Sequence, residues 1–272
     1  MMNIFYEIFS YPFMVRAIIV GLLISICSAI LGVILVLKKY SMIGDGLSHV
    51  GFGTLAIATV LNKEPLIISI PVVIIAAFFL LRISENSKIK GDSAIALMST
   101  SSLAIGIMVL SIANGINTDV SNYLFGSILG LTNKDVILTT ILAVIVLIIF
   151  ILFYYKIFAV TFDENFSKAT GIKTNIYNMV IALITSLIIV LGMKTMGSLL
   201  ISSLMIFPAL TSMRIFKNFK LVIINSLFVS IICFLIGIFI SYIYDMPTGA
   251  SIVIINLIVF FIYYLIGLIL KK

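Results

Sequence analysis

Charge is the first thing this sequence is short of. Only 10% of its 272 residues are Asp, Glu, Lys or Arg, against about 25% in ordinary globular domains, and that scarcity excludes a soluble fold. Cysteine is nearly absent too. Cys27 and Cys233 both lie inside apolar runs, where a free thiol behaves as a small buried hydrophobe, and they make neither a disulfide framework nor a CxxC metal motif. His49 is the single histidine, which excludes the HExxH site of an intramembrane metalloenzyme. There is no GxxxxGKS phosphate loop, so any ATP hydrolysis belongs to another chain. The apolar runs lack the period-two alternation of a membrane barrel.

What remains is grease: 62% of the residues are hydrophobic and the mean hydropathy is +1.33. A bilayer-spanning helix needs about 20 mostly apolar residues, so the chain reads as an all-α, polytopic membrane protein. Charge-poor stretches run over 17–37, 46–62, 65–81, 93–118 and 136–155, then over 174–193, 195–213, 221–244 and 247–270. They predict about nine transmembrane helices. The stretch 121–131 is too short to cross and reads as a partial helix near the outer surface, which leaves eight spans open. Met1 to Ser10 carries Glu7 and no basic region, so no cleavable signal peptide is expected there.

The net charge of +7 does not point to nucleic acid, because the basic residues gather at span edges. Thirteen of the 17 fall in alternate loops and the Lys271, Lys272 tail, leaving Arg16, Lys63, Lys134 and Lys194 on the opposite side. The positive-inside rule then predicts a cytoplasmic-membrane protein with its N-terminus outside and its C-terminus cytoplasmic. The longest inner loop, 156–174, mixes Asp163, Glu164 and Lys168 with Phe162, Phe166 and Ala169, the ingredients of a short amphipathic helix on the membrane surface.

Asp45 adjoins a span with no obvious loop around it, and His49 follows four residues later. Positions i and i+4 share one helix face, and carboxylate oxygen plus imidazole suits zinc, manganese or iron(II). Two ligands are too few for a transition metal, and a two-fold dimer would supply four. The alternative is structural: Asp45, in Gly44-Asp45-Gly46, is an N-cap or first-turn acid of the second helix, and His49 bonds a core carbonyl. Asp245 reads as part of an outer turn. Glycine and serine around 44–53 and 192–203 predict close helix packing, and Pro208 should kink its helix. The scattered methionines read as gap-fillers.

At Ser41 to Ala56, SMIGDGLSHVGFGTLA, the chain resembles the permease family of zinc, manganese and iron ABC importers. The likeness continues in order through GDSAIALM (91–98), YLFGSIL (123–129), FDENFSKATGI (162–172), MGSLLISSLMIFPAL (196–210) and SYIYDMPTGASIV (241–253). It implies a single ABC transmembrane permease domain over residues 1–272, with Asp45 and His49 facing a metal pathway. It also implies a cytoplasmic coupling helix at Phe162, Asp163, Ala169 and Gly171 that docks into a separate ATPase subunit. A homodimer of the permease, an extracellular metal-binding protein and membrane lipid complete the implied partners. The transported divalent ion is the cargo, and no permanently bound cofactor is expected. Gly46 replaces the family's usual alanine, Gly51-Phe52-Gly53 stands where Pro-Gly is common, and Ala250 replaces a proline. A secondary transporter driven by an ion gradient is the other reading of so apolar a chain.

Overall fold

In hydrocarbon every backbone N–H and C=O must find its partner within the segment, so long apolar runs fold as helices. The computed structural model describes residues 10–86, 91–114 and 131–270, and all of their regular structure is α-helical. In chain order the helices are α1 (Pro12–Leu37), α2 (Ser41–Val60), α3 (Pro65–Asn86), α4 (Gly91–Asn114) and α5 (Asn133–Phe162). Then come α6 (Glu164–Ala169), α7 (Thr174–Met196), α8 (Ser198–Met213), α9 (Phe219–Tyr244) and α10 (Thr248–Ile269). The expected partial helix at 121–131 and the YLFGSIL segment fall almost entirely outside the described residues, as do Met1 to Phe9.

Helix starts follow local chemistry. Pro12 opens α1, where its missing donor costs nothing. Thr132 and Asp135 form a reciprocal capping box on α5. Asn218 caps α9 by accepting from the Lys220 amide. One residue, Gly197, separates α7 from α8. Its φ of 88° and ψ of 158° lie in a region essentially closed to other residues.

Among the described residues six helices (α1, α4, α5, α7, α9 and α10) are long and apolar enough to cross a bilayer. The three others counted among the nine expected spans do not meet that measure by themselves. α8 has 16 residues, about 24 Å at 1.5 Å per residue, short of a hydrocarbon core of about 30 Å. α3 contributes the shorter apolar stretch Pro65–Leu80. α2 is diluted by glycine, serine and threonine together with Asp45 and His49. The boundary expected beside Lys194 lies instead at Gly197, because Lys194 stays within α7 and pairs with Asp135 at 2.6 Å. Pro208 lies inside α8, which continues through it to Met213.

α1 sits at the centre, packed on α5, α7, α8 and α9, and its residues from Val20 to Leu35 are almost all buried. α2 lies against α3, α4, α7 and α8. Lipid is as apolar as leucine, so association relies on close approach and interhelical hydrogen bonds. Both occur. A Cβ on Gly32 would fall on the backbone carbonyl of Met205, and one on Gly53 would come within 2.7 Å of the Ser102 carbonyl oxygen. Ser230 Oγ donates to the Ser25 carbonyl across α9 and α1 at 3.1 Å. Cys27 and Cys233 are free and buried.

Candidate metal site and coupling helix

α2 begins at Ser41, with Tyr40 as its capping residue, so Asp45 stands in the second turn and is not an N-cap. The structural alternative for Asp45 is thereby corrected: its carboxylate is not used on the free amides of a helix start. His49 follows one turn later. Its Nε2 lies 3.8 Å from Asp45 Oδ1, with the Asp45 side chain 42% exposed and that of His49 20%. That separation is too long for a hydrogen bond. Two metal bonds of about 2.0–2.2 Å could span it. The other ring nitrogen, Nδ1, is buried and has no hydrogen-bond partner among the described residues. The carbonyl-bonded core histidine of the structural alternative is therefore not observed.

Two further residues come to this site from α8. Ser202 Oγ lies 3.4 Å from Asp45 Oδ1 and 3.3 Å from the Ser198 carbonyl oxygen, in position to donate to either. Met205 is buried with its sulfur against Gly44, 3.4 Å from where a Cβ would sit. In the sequence Ser202 is one of several small residues and Met205 one of twelve methionines; only their arrival from a distant helix distinguishes them. Among the described residues no group of three or more His, Cys, Asp or Glu converges.

The glycines around the pair have separate tasks. A Cβ on Gly46 would meet Ile95 of α4 at 2.6 Å, one on Gly51 would meet Met193 of α7 at 2.5 Å, and Gly53 abuts the Ser102 carbonyl. Gly106 of α4 in turn faces Phe52 and the Gly53 Cα. α2 is thus held tightly between α4 and α7 and continues unbroken through Gly51-Phe52-Gly53.

The loop after α5 folds as the short helix α6. Asp163 ends α5 and caps α6, its Oδ1 accepting from the Phe166 amide at 2.9 Å. At the other end Gly171 adopts φ 83°, with Gly171 N–H donating to Lys168 O and Ile172 N–H to Ser167 O. That pair of bonds closes a Schellman turn, for which glycine is the favoured residue. The Asp and Gly of the FDxxxxxAxG pattern are the two ends of this helix. Phe162, Phe166 and Ala169 are exposed, while Ser167 faces inward.

Glu164, the first residue of α6, is held from three sides. Lys168 reaches its Oε1 at 2.9 Å, and Asn178 Nδ2 donates to its Oε2 at 3.3 Å. Lys38 Nζ stands 3.7 Å from Oε2. Burial opposes ionisation here, but the hydrogen bonds from Lys168 and Asn178 and the charge of Lys38 outweigh it and hold the carboxyl below its ordinary range. Asp245 closes α9 in the left-handed region at φ 51°, in the expected turn.

The sequence profile of the ABC 3 transport family matches residues 10–267. The chain belongs to the ABC 3 transport family. Among relatives of this ABC 3 permease, it is 28% identical to the manganese transport system membrane protein MntC of Halalkalibacterium halodurans, over 92% of this chain and 86% of that one. It is 27% identical to the high-affinity zinc uptake system membrane protein ZnuB of Haemophilus influenzae, over 88% and 91%. Among solved structures, PsaBC from Streptococcus pneumoniae in complex with Fab superposes with a TM-score of 0.87 at 29% identity, covering 97% of this chain and 95% of that one. The chain is a multi-pass membrane permease.

Proposed function

We propose that residues 1–272 of this permease form one transmembrane domain, and that the chain is the permease subunit of an ATP-driven importer that moves manganese or zinc across the cytoplasmic membrane by alternating access. The names of its relatives favour those two ions over iron. Two copies pair about a two-fold axis, so that Asp45 and His49 from each enclose one divalent ion with four donors. A bare divalent ion cannot cross hydrocarbon without replacement ligands, and these four hold it in passing as the pathway opens to one side and then the other. The ion arrives from an extracellular binding protein. A separate ATPase docks on α6 from the cytoplasm, supplying the hydrolysis that this chain, without a phosphate loop, does not perform. The N-terminus lies outside and the C-terminus inside, a reading that the distribution of lysine and arginine supports.

One observation carries the reading of the site: the Asp45 and His49 donors lie 3.8 Å apart on one face of α2, and the second ring nitrogen has no hydrogen-bond partner among the described residues. Uptake of radioactive manganese and zinc is to be measured in cells that also make the cognate ATPase. Asp45→Ala and His49→Ala should each abolish saturable uptake at normal permease levels. Wild-type uptake by either variant would remove that residue from the pathway.

A further inference from the structure

The α6 segment is fastened to more than its own neighbours in sequence. Lys38, the last residue of α1's cap, is almost wholly buried, its side chain 6% exposed. Its Nζ donates to the Val160 carbonyl in the last turn of α5 at 3.2 Å and to Asn178 Oδ1 in α7 at 2.8 Å. It also faces Glu164 of α6 at 3.7 Å. One ammonium therefore ties together the ends of α1, α5, α6 and α7. Apolar contacts are non-directional and can slide, whereas an ammonium with acceptors in fixed directions holds a register.

The chain beyond Lys38 leaves little slack. Lys39 takes φ 60°, and the Lys39 and Tyr40 amides return to the carbonyls of Val36 and Leu35 at 3.1 and 2.8 Å. This is a closed helix-end turn, and α2 starts on the next residue, Ser41. Asp45 is seven positions past Lys38. At the opposite end of the bundle Asp135 and Lys194 join α5 to α7 again at 2.6 Å. α5 and α7 are thus pinned at both ends, so a displacement of α6 reaches Lys38 and, through a stiff turn, the helix that carries Asp45 and His49.

We propose that Lys38 is a positioning residue that transmits movement of α6 to the Asp45/His49 helix, with Glu164 and Asn178 as its anchors. This rests on the reading of α6 as the ATPase dock.

The test uses the whole assembly, with permease, cognate ATPase and binding protein in liposomes. ATP hydrolysis and radioactive manganese uptake are read together. Lys38→Met keeps length and flexibility but loses the charge. It should retain the ATPase on purification and hydrolyse ATP within about twofold of wild type, while manganese imported per ATP falls at least about fivefold, the lower end of usual coupling between sites. Lys38→Arg should recover most of that ratio. If Lys38→Met does not accumulate in the membrane, Glu164→Gln is read in the same way. A wild-type ratio in the folded variant, or hydrolysis and uptake falling in proportion, overturns the proposal. A wild-type permease that retains no ATPase overturns the docking reading itself, and the link with it.

Discussion

Gly171 offers a clean perturbation of α6, the proposed ATPase dock. It sits at φ 83°, and a Cβ built there meets nothing within 4 Å. Replacing it with alanine therefore introduces no clash, and the whole effect is conformational: an L-residue forced left-handed costs about 1–2 kcal/mol. α6 has only six residues, too few to stand on propensity alone, so its caps largely decide whether it forms. A loss of 1–2 kcal/mol changes a two-state population by a factor of about 5–30, and binding to the formed helix weakens by the same factor once that form is in the minority. Asparagine tolerates the left-handed region better than alanine. The expected order of ATPase affinity is thus Gly171, then Gly171→Asn, then Gly171→Ala, with Gly171→Asp also losing association while the permease stays folded. The assay titrates purified ATPase against permease in nanodiscs, with thermal unfolding of the permease as control. Unchanged affinity for Gly171→Ala, or alanine binding better than asparagine, would refute the reasoning.

Other outcomes follow from the same geometry. Gly53→Ala should lower the permease's thermal stability by about 1–3 kcal/mol of overpacking, because the new methyl meets a backbone carbonyl 2.7 Å away; an unchanged melting temperature in detergent would contradict the tight α2–α4 packing. Lys194→Met strands the nearly buried Asp135 carboxylate and should cost about 3–5 kcal/mol; adding Asp135→Asn should recover part of this in a double-mutant cycle, and strict additivity would deny the pair. Glu164 has a lowered carboxyl pKa, so its contribution is complete above the ordinary value of 4.5 and is lost as pH falls below it. Wild type should therefore lose its stability advantage over Glu164→Gln only on that acid side, and an advantage that grew below pH 4.5 would reverse the sign.

The pieces of this permease that were legible in its sequence are local ones. The i, i+4 spacing of Asp45 and His49 needs only a helix. Asp163 and Gly171 mark the ends of α6 because capping and left-handed turns are decided within a few residues. The boundary at Lys194 was misplaced for the opposite reason. A lysine ends a span unless a partner meets it, and Asp135, 59 positions away, is that partner.

From its sequence alone this chain is a helical membrane protein, because so apolar a chain cannot leave its backbone groups unpaired in lipid. Only the tertiary structure decided which helices meet. Lipid-facing and neighbour-facing surfaces are equally apolar in a membrane, so hydropathy carries no instruction about packing partners. The arrival of Ser202 and Met205 beside α2, and the gathering of Lys38, Val160, Glu164 and Asn178 around one buried ammonium, depend on backbone approach at glycines and on a few polar bonds between distant segments.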